Sequence, residues 1–169
     1  MSDTQKSKKP LGSSLSRDEK IDRLRALRKK DINTVIKIAP VKPAPEIGEV
    51  MEDGTVYAGI SPDTNKPMFA RPADEWRMDF NQAAQRAGKL SAETGKSYRI
   101  PSGNELNVLF NNRAAIGGFK NGLSEPSCWY WSSTSISGCF AYRMVQQFSN
   151  GIRTSNIESV VLRARLERS

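Results

Sequence analysis

The chain contains no histidine, which removes every mechanism that depends on an imidazole base or on the commonest zinc ligand. Its soft nucleophiles are two cysteines, Cys128 and Cys139, too few for a four-thiolate zinc site or a disulfide framework. No paired carboxylates at catalytic spacing and no Gly-rich phosphate loop stand out. The expectation is therefore a protein without enzymatic activity and without a cofactor, whose chemistry is recognition. The clearest charged motif is a basic run, Arg23, Arg25, Arg28, Lys29 and Lys30, that could contact phosphates with an affinity falling log-linearly with salt. Residues 1–45 hold no aromatic side chain to stack on a base, so any such binding should be sequence-tolerant.

That run lies on an arm. Residues 1–45 carry twelve Lys and Arg against five Asp and Glu, so nearly all of the net charge of +8 resides there. The first fifteen residues are rich in Ser, Lys, Gly and Pro and lack periodicity, which predicts disorder in isolation. The leading MSDTQKSKKPLGSS lacks the apolar stretch of a secretory signal peptide. It predicts synthesis in the cytoplasm, with incorporation into a virion or another assembly as one destination. Ser16 followed by Glu19 forms a capping box that opens a helix. Ile21, Leu24, Leu27, Ile32, Val35 and Ile36 follow at roughly helical spacing. This apolar stripe is too narrow for a domain core and suits a seam against a partner. Pro40, Pro43 and Pro45 then stiffen the chain into a spacer, which divides it into an arm, 1–45, and a domain, 46–169.

Within the domain TVYAGI (Thr55–Ile60) reads as a strand. Asp79 with Gln82, and Ser102 with Glu105, form two further capping boxes. The first opens a helix with Phe80, Ala83, Ala84, Ala87 and Leu90 on one face and Gly95 as its left-handed stop. The second opens a helix that turns Leu106, Leu109 and Phe110 inward and decays at the paired glycines of NNRAAIGGF. Three strands should follow: WYWSST (Trp129–Thr134), Phe140–Phe148 and Ile157–Leu166. The last two are expected to join through Ser149-Asn150-Gly151, whose Asn-Gly pair is a strong hairpin signal. Alternation along the last strand sets Val160, Leu162, Ala164 and Leu166 on one face, with Val161, Arg163 and Arg165 on the other, as in a half-buried antiparallel strand. The fold class is α+β, with two helices and a small antiparallel sheet after one early strand. Trp131 is expected in the core, and the cysteines are expected to be ordinary small core or loop residues. No run of apolar residues is long enough to span a membrane.

Over Gly48–Arg165 the order of these motifs resembles a known family. YRIPSGNELNVLFNNRAAIGGF is similar to the W-R-[LI]-P-[ST]-x-x-E-L segment of bacterial C-type-lectin-like domains named for the C-terminal part of a collagen-like adhesin. WYWSST, the Phe148-Ser149-Asn150-Gly151 turn and the closing VVLRARL resemble its YWSST, F-S-[DN]-G and V-R-x-V-R elements. Tyr98 replaces the usual Trp, and Ala164-Arg165 departs from the closing P-V-R. The family is distantly related to formylglycine-generating enzymes and to the variable proteins of diversity-generating retroelements. The resemblance implies a fold whose first and last strands pair, with ligands held by loops and by the exposed face of the hairpin sheet. It makes Arg143, Gln147, Asn150, Arg153 and Asn156 the candidate ligand-binding residues, the alternative being a solvated sheet face. Calcium-dependent lectins carry Glu-Pro-Asn and Trp-Asn-Asp motifs. Glu125-Pro126-Ser127 matches the first only in part and WYWSST lacks the Asn-Asp pair, so no metal site is expected.

The leading functional expectation is a binding or display module anchored by its arm in a larger assembly, such as a phage virion, a tail appendage or a bacterial surface structure. The arm would meet a protein partner through the apolar stripe, and the lectin-like face would take a glycan or protein ligand. The alternatives are a nucleic-acid-tethered protein using the basic arm and a translocated effector that binds a host protein.

Overall fold

The structure, a computed structural model, describes residues 16–32 (the backbone alone from 27 onward), 43–120, 122 and 128–169. The chain divides after Pro43 into two units. In the first, helix α1 (Arg17–Ile32) opens with the reciprocal cap read from the sequence: the Ser16 N–H donates to Glu19 Oε2 at 2.8 Å, and the Glu19 N–H donates to Ser16 Oγ at 3.3 Å. Ile21 and Leu24 on this helix are exposed. Val35 and Ile36, the tail 1–15 and Glu125-Pro126-Ser127 lie outside the described residues, as do the side chains of Leu27, Arg28, Lys29, Lys30 and Ile32.

The second unit is α+β. Its elements are β1 (Val56–Ile60), β2 (Pro67–Ala70), β3 (Glu75–Met78), α2 (Phe80–Thr94), β4 (Tyr98–Arg99), α3 (Gly103–Asn111), α4 (Arg113–Ile116), β5 (Trp129–Ile136), β6 (Cys139–Gln147), β7 (Arg153–Ile157), β8 (Leu162–Ala164) and β9 (Glu167–Arg168). Both capping boxes in this unit form: Asp79 accepts from the Gln82 N–H at 2.8 Å, and Ser102 accepts from the Glu105 N–H at 3.2 Å. Gly95 ends α2 at φ 68°, a left-handed conformation that costs glycine nothing.

The strands form two sheets, β1-β2-β9-β4 and β3-β8-β5-β6-β7, where the sequence predicts one small sheet. A one-turn helix, α4, adds to the two expected in this unit. β4 and β9 have two residues each, and β3 reads Glu-Trp-Arg-Met. Segments so short or so charged carry no period-2 signal. The Asn-Gly turn does close a hairpin, but onto β7, whose sequence RTSNI lacks the apolar alternation that marks a strand. Gly151 sits in that turn at φ 84°, and a Cβ there would come within 2.8 Å of the Phe110 ring.

Ile157–Leu166 is consequently not one strand. The chain turns after Ile157 and returns as β8, antiparallel to β3 and parallel to β5 through the Tyr130–Arg163 pair. Both faces of β8 are covered, so Arg163 and Arg165 are buried along with Leu162 and Ala164. Nor do the first and last strands pair: β9 lies between β2 and β4. The Arg168 side chain nevertheless reaches Thr55 Oγ1, just before β1, at 3.2 Å.

β5 organises the interior. Successive strand side chains point to opposite faces, so adjacent aromatics enter different clusters. Tyr130 packs with Val56, Met68, Leu106, Leu109 and Phe148, while Trp131 packs with Ala83, Ala87, Leu90, Val145 and Leu162. The five-stranded sheet therefore has an α3 side and an α2 side. Trp131 is wholly buried, as the sequence predicts, and donates to the Met78 carbonyl at 3.1 Å.

Candidate functional site

The β6–β7 hairpin carries all five ligand-binding candidates, and strand alternation separates them. Arg143 pairs with Asn156, and Gln147 shares their strand face, the one turned toward α2. Arg153 pairs with Gln146 on the α3 side, and Asn150 lies in the turn. Arg143 is committed: its Nε donates to Glu158 at 2.6 Å, its Nη1 to the Ser133 carbonyl at 3.3 Å, and its guanidinium lies 4.5 Å from the Phe80 ring centre. Gln147 is buried and donates to Cys128 Sγ at 3.4 Å. The Asn150 and Asn156 side-chain oxygens accept from the backbone N–H groups of Ile152 and Ile157. Asn150 and Arg153 are the exposed pair among the five, the Arg153 guanidinium lying 3.1 Å from Met144 Sδ. The five do not converge on one surface.

What the hairpin does present is apolar. On the α3 side, beyond the helix start where Gly103 packs against Met144, the sheet is left uncovered by the described residues. Phe140 is 92% exposed, and the cross-strand pair Tyr142 and Ile157 is exposed with it. Ser155 and Arg153 continue this face along β7. The tight turn at Ser137-Gly138, with Gly138 at φ 77°, projects the end of β6 away from the core. Phe140 and Tyr142 are two residues apart, a spacing that sequence reading assigns to a core as readily as to a surface. The missing signal is that, among the described residues, no helix lies over this end of the sheet.

The cysteines do not approach each other in the strand register. Cys128 is buried beside Ser149, Cys139 is exposed opposite Ile136, and both are free. Among the described residues no three His, Cys, Asp or Glu side chains gather as a metal site, and no helix is long and apolar enough to cross a membrane. On the arm, Arg23 and Arg25 are exposed, and Arg25 lies 3.7 Å from Asp22.

Ionisable groups concentrate instead in two buried clusters. In the first, Asp74 meets Arg165 Nε at 3.1 Å and Arg163 at 3.5 Å, and accepts from the Tyr130 hydroxyl at 2.5 Å. Arg165 also donates to the carbonyls of Arg71 at 2.8 Å and Gly117 at 2.6 Å. Burial, reinforced by the Asp74 carboxylate, pushes the Tyr130 hydroxyl well above its ordinary value, so it stays a donor. In the second, Glu105 accepts from Ser61 at 2.6 Å, from both terminal nitrogens of Arg99 at 2.7 and 2.6 Å, and from the Ser102 N–H at 2.8 Å. Burial alone would raise this carboxyl, but those donors outweigh it and hold it down at about 2. Glu167 shares the same guanidinium at 2.8 Å. Most of these polar atoms are engaged with one another, the Glu167 oxygens, Asp74 Oδ1 and Arg165 Nε being without a well-directed hydrogen bond. The exposed apolar hairpin face is the surface left for a partner. No protein-family model matches the chain, and no curated protein matches it.

Proposed function

We propose that the chain is a non-enzymatic binding module of the C-type-lectin-like kind. Residues 1–45 anchor it in a larger assembly, a virion, tail appendage or bacterial surface structure, and the uncovered hairpin face contacts a protein. The observation that carries this reading is Phe140, an almost fully exposed aromatic on a strand, beside exposed Tyr142 and Ile157. A contiguous apolar surface on a rigid sheet supports a macromolecular contact. Aromatic side chains with one Arg at the margin suit a protein interface, in which Tyr, Phe and Arg supply most of the affinity. The arrangement of α2, α3 and two sheets is compatible with the α+β class that the sequence resemblance implies, although β1 and β9 do not pair. On the arm, exposed Ile21 and Leu24 supply the apolar part of the anchor, which forms fully once docked.

The experiment is quantitative mass spectrometry of what co-purifies from the native source with the full-length protein and three variants. Phe140→Ser with Tyr142→Ser should lose one set of partners and retain the assembly. Ile21→Ser with Leu24→Ser, and separately removal of residues 1–45, should lose the assembly. Unchanged recovery by all three variants overturns the reading. Nucleic acid recovered in place of protein, and lost steeply as salt rises, would instead make Arg23, Arg25, Arg28, Lys29 and Lys30 a phosphate tether.

A further inference from the structure

We propose that Glu167 makes β9 a proton-locked joint: the terminal strand is held most firmly when this carboxyl carries a proton, and it loosens as the carboxyl ionises. The geometry is a shortage of donors. Glu167 is wholly buried in the middle of the four-stranded sheet, between Ala70 of β2 and Arg99 of β4. Its Oε1 lies 2.8 Å from Arg99 Nη2, but that nitrogen donates to Glu105 Oε1 at 2.6 Å and toward Ser169 Oγ at 3.5 Å. Neither oxygen of Glu167 accepts a well-directed hydrogen bond. Glu105, equally buried, holds four such bonds, so the surplus negative charge of the cluster belongs to Glu167.

The other neighbours do not repair the shortage. β2 brings Phe69 and Ala70 and no ionisable side chain. From β9 itself, Arg168 turns away to Asp53, donating at 3.0 and 2.7 Å, and lies over the Phe69 ring. Asp63, in the loop before β2, acts on Arg99 from a distance and is occupied by Ser102 and Asn104. Burial, with Glu105 adding repulsion, pushes the Glu167 carboxyl up to about 7 despite the pull of Arg99.

A folded-state value raised above the unfolded one means that the native chain binds a proton the unfolded chain does not. The resulting stability is fully present below about 4.5 and is lost as pH rises through about 7. This runs opposite to acid denaturation. The interval is also free of histidine titration, because the chain has none. Glu105 is shifted downward, so between about pH 5.5 and 8.0 it is largely ionised in both folded and unfolded chains.

The test is urea unfolding of the full-length chain at pH 5.5 and pH 8.0, with Glu167→Gln as a mimic of the protonated state. The wild-type folding constant should fall roughly 10- to 100-fold between the two, and Glu167→Gln should flatten the dependence. Glu105→Gln leaves Arg99 to Glu167 alone and should move the transition to lower pH, which a merely structural role would not do. A wild type at least as stable at pH 8.0 as at 5.5, or a wild-type slope in Glu167→Gln, overturns the proposal. Should the variants not fold, carboxyl-carbon NMR of the wild type decides: a glutamate midpoint near 7 supports it, and every glutamate titrating below pH 5.5 overturns it.

Discussion

The two buried charge clusters are near mirror images, and their difference shows which surplus charge a protein interior tolerates. Around Asp74 two guanidiniums face one carboxylate; around Arg99 two carboxylates face one guanidinium. The surplus cation finds more partners, although burial still raises the Asp74 carboxyl and Arg165 Nε and Asp74 Oδ1 lack a well-directed hydrogen bond. Arginine carries five donors in a planar fork, and a folded chain offers carbonyl oxygens with spare lone pairs. Arg165 uses those of Arg71 and Gly117 and stacks 3.8 Å over Phe119, while Arg163 lies 3.8 Å over Trp76. The surplus anion has no such outlet. It needs N–H donors, and in the sheet around β9 these are already bonded between strands. Glu167 is left without a well-directed donor, and a proton is its remaining partner.

The largest expected effect comes from removing the better-satisfied cation. Arg165→Met leaves Asp74 short of a partner and two carbonyls unbonded, and should cost about 3–5 kcal/mol in urea unfolding at pH 7. A loss under about 1 kcal/mol would mean that those bonds are replaced and that donor supply is not the deciding quantity. The next effect is Glu105→Gln, expected at about 1–3 kcal/mol at pH 7. Its pH dependence has the opposite sign to that of Glu167. With a folded value lowered to about 2, Glu105 stabilises above its unfolded value near 4.5 and loses that contribution as pH falls toward 2. The difference between wild type and Glu105→Gln should therefore shrink at pH 3, and a penalty unchanged at pH 3 would remove Glu105 from the comparison.

Neither cluster is legible in the sequence as a cluster, for a physical reason. Glu105 is readable as the third residue of a capping box, a local relation spanning three positions. Its bonds to Ser61 and Arg99 join separate elements and leave no local pattern. Arg163 and Arg165 alternate with Leu162 and Ala164 and so read as a solvated face. Their burial follows from β8 lying between β3 and β5, which is a property of topology rather than of the segment. The same holds for β7, whose polar residues are a strand because β6 pairs with them. The α+β class, all three capping boxes, the Gly95 stop and the buried Trp131 were legible because each rests on local chemistry or strong periodicity. Of the candidate site, the hairpin was legible but the residues it exposes were not, since exposure at Phe140 depends on where α3 begins.

A smaller effect isolates that local chemistry from the clusters. Asp79→Ala removes a helix cap whose side chain bonds to the Gln82 N–H and to neither cluster, and should cost about 1 kcal/mol. The penalty should be equal at pH 5.5 and 8.0, because α2 carries no part of the Glu167 network. A penalty that tracks pH would show that the four-stranded sheet and α2 are coupled, and the two clusters could then no longer be treated as independent.

The smallest effect on stability falls on the residue with the largest proposed role. This molecule buries ionisable groups and exposes aromatic ones, so the usual relation between hydrophobicity and stability is locally inverted. Phe140 touches water over nearly its whole surface, and burial is what makes an apolar side chain stabilising. Phe140→Ser should therefore shift unfolding by no more than about 0.5 kcal/mol while reducing recovery of the hairpin partner. Unfolding and co-purification measured on the same preparation separate the two possibilities. A loss above about 2 kcal/mol would mean that Phe140 packs against another part of the chain, and the hairpin face would then be an internal contact rather than a binding surface.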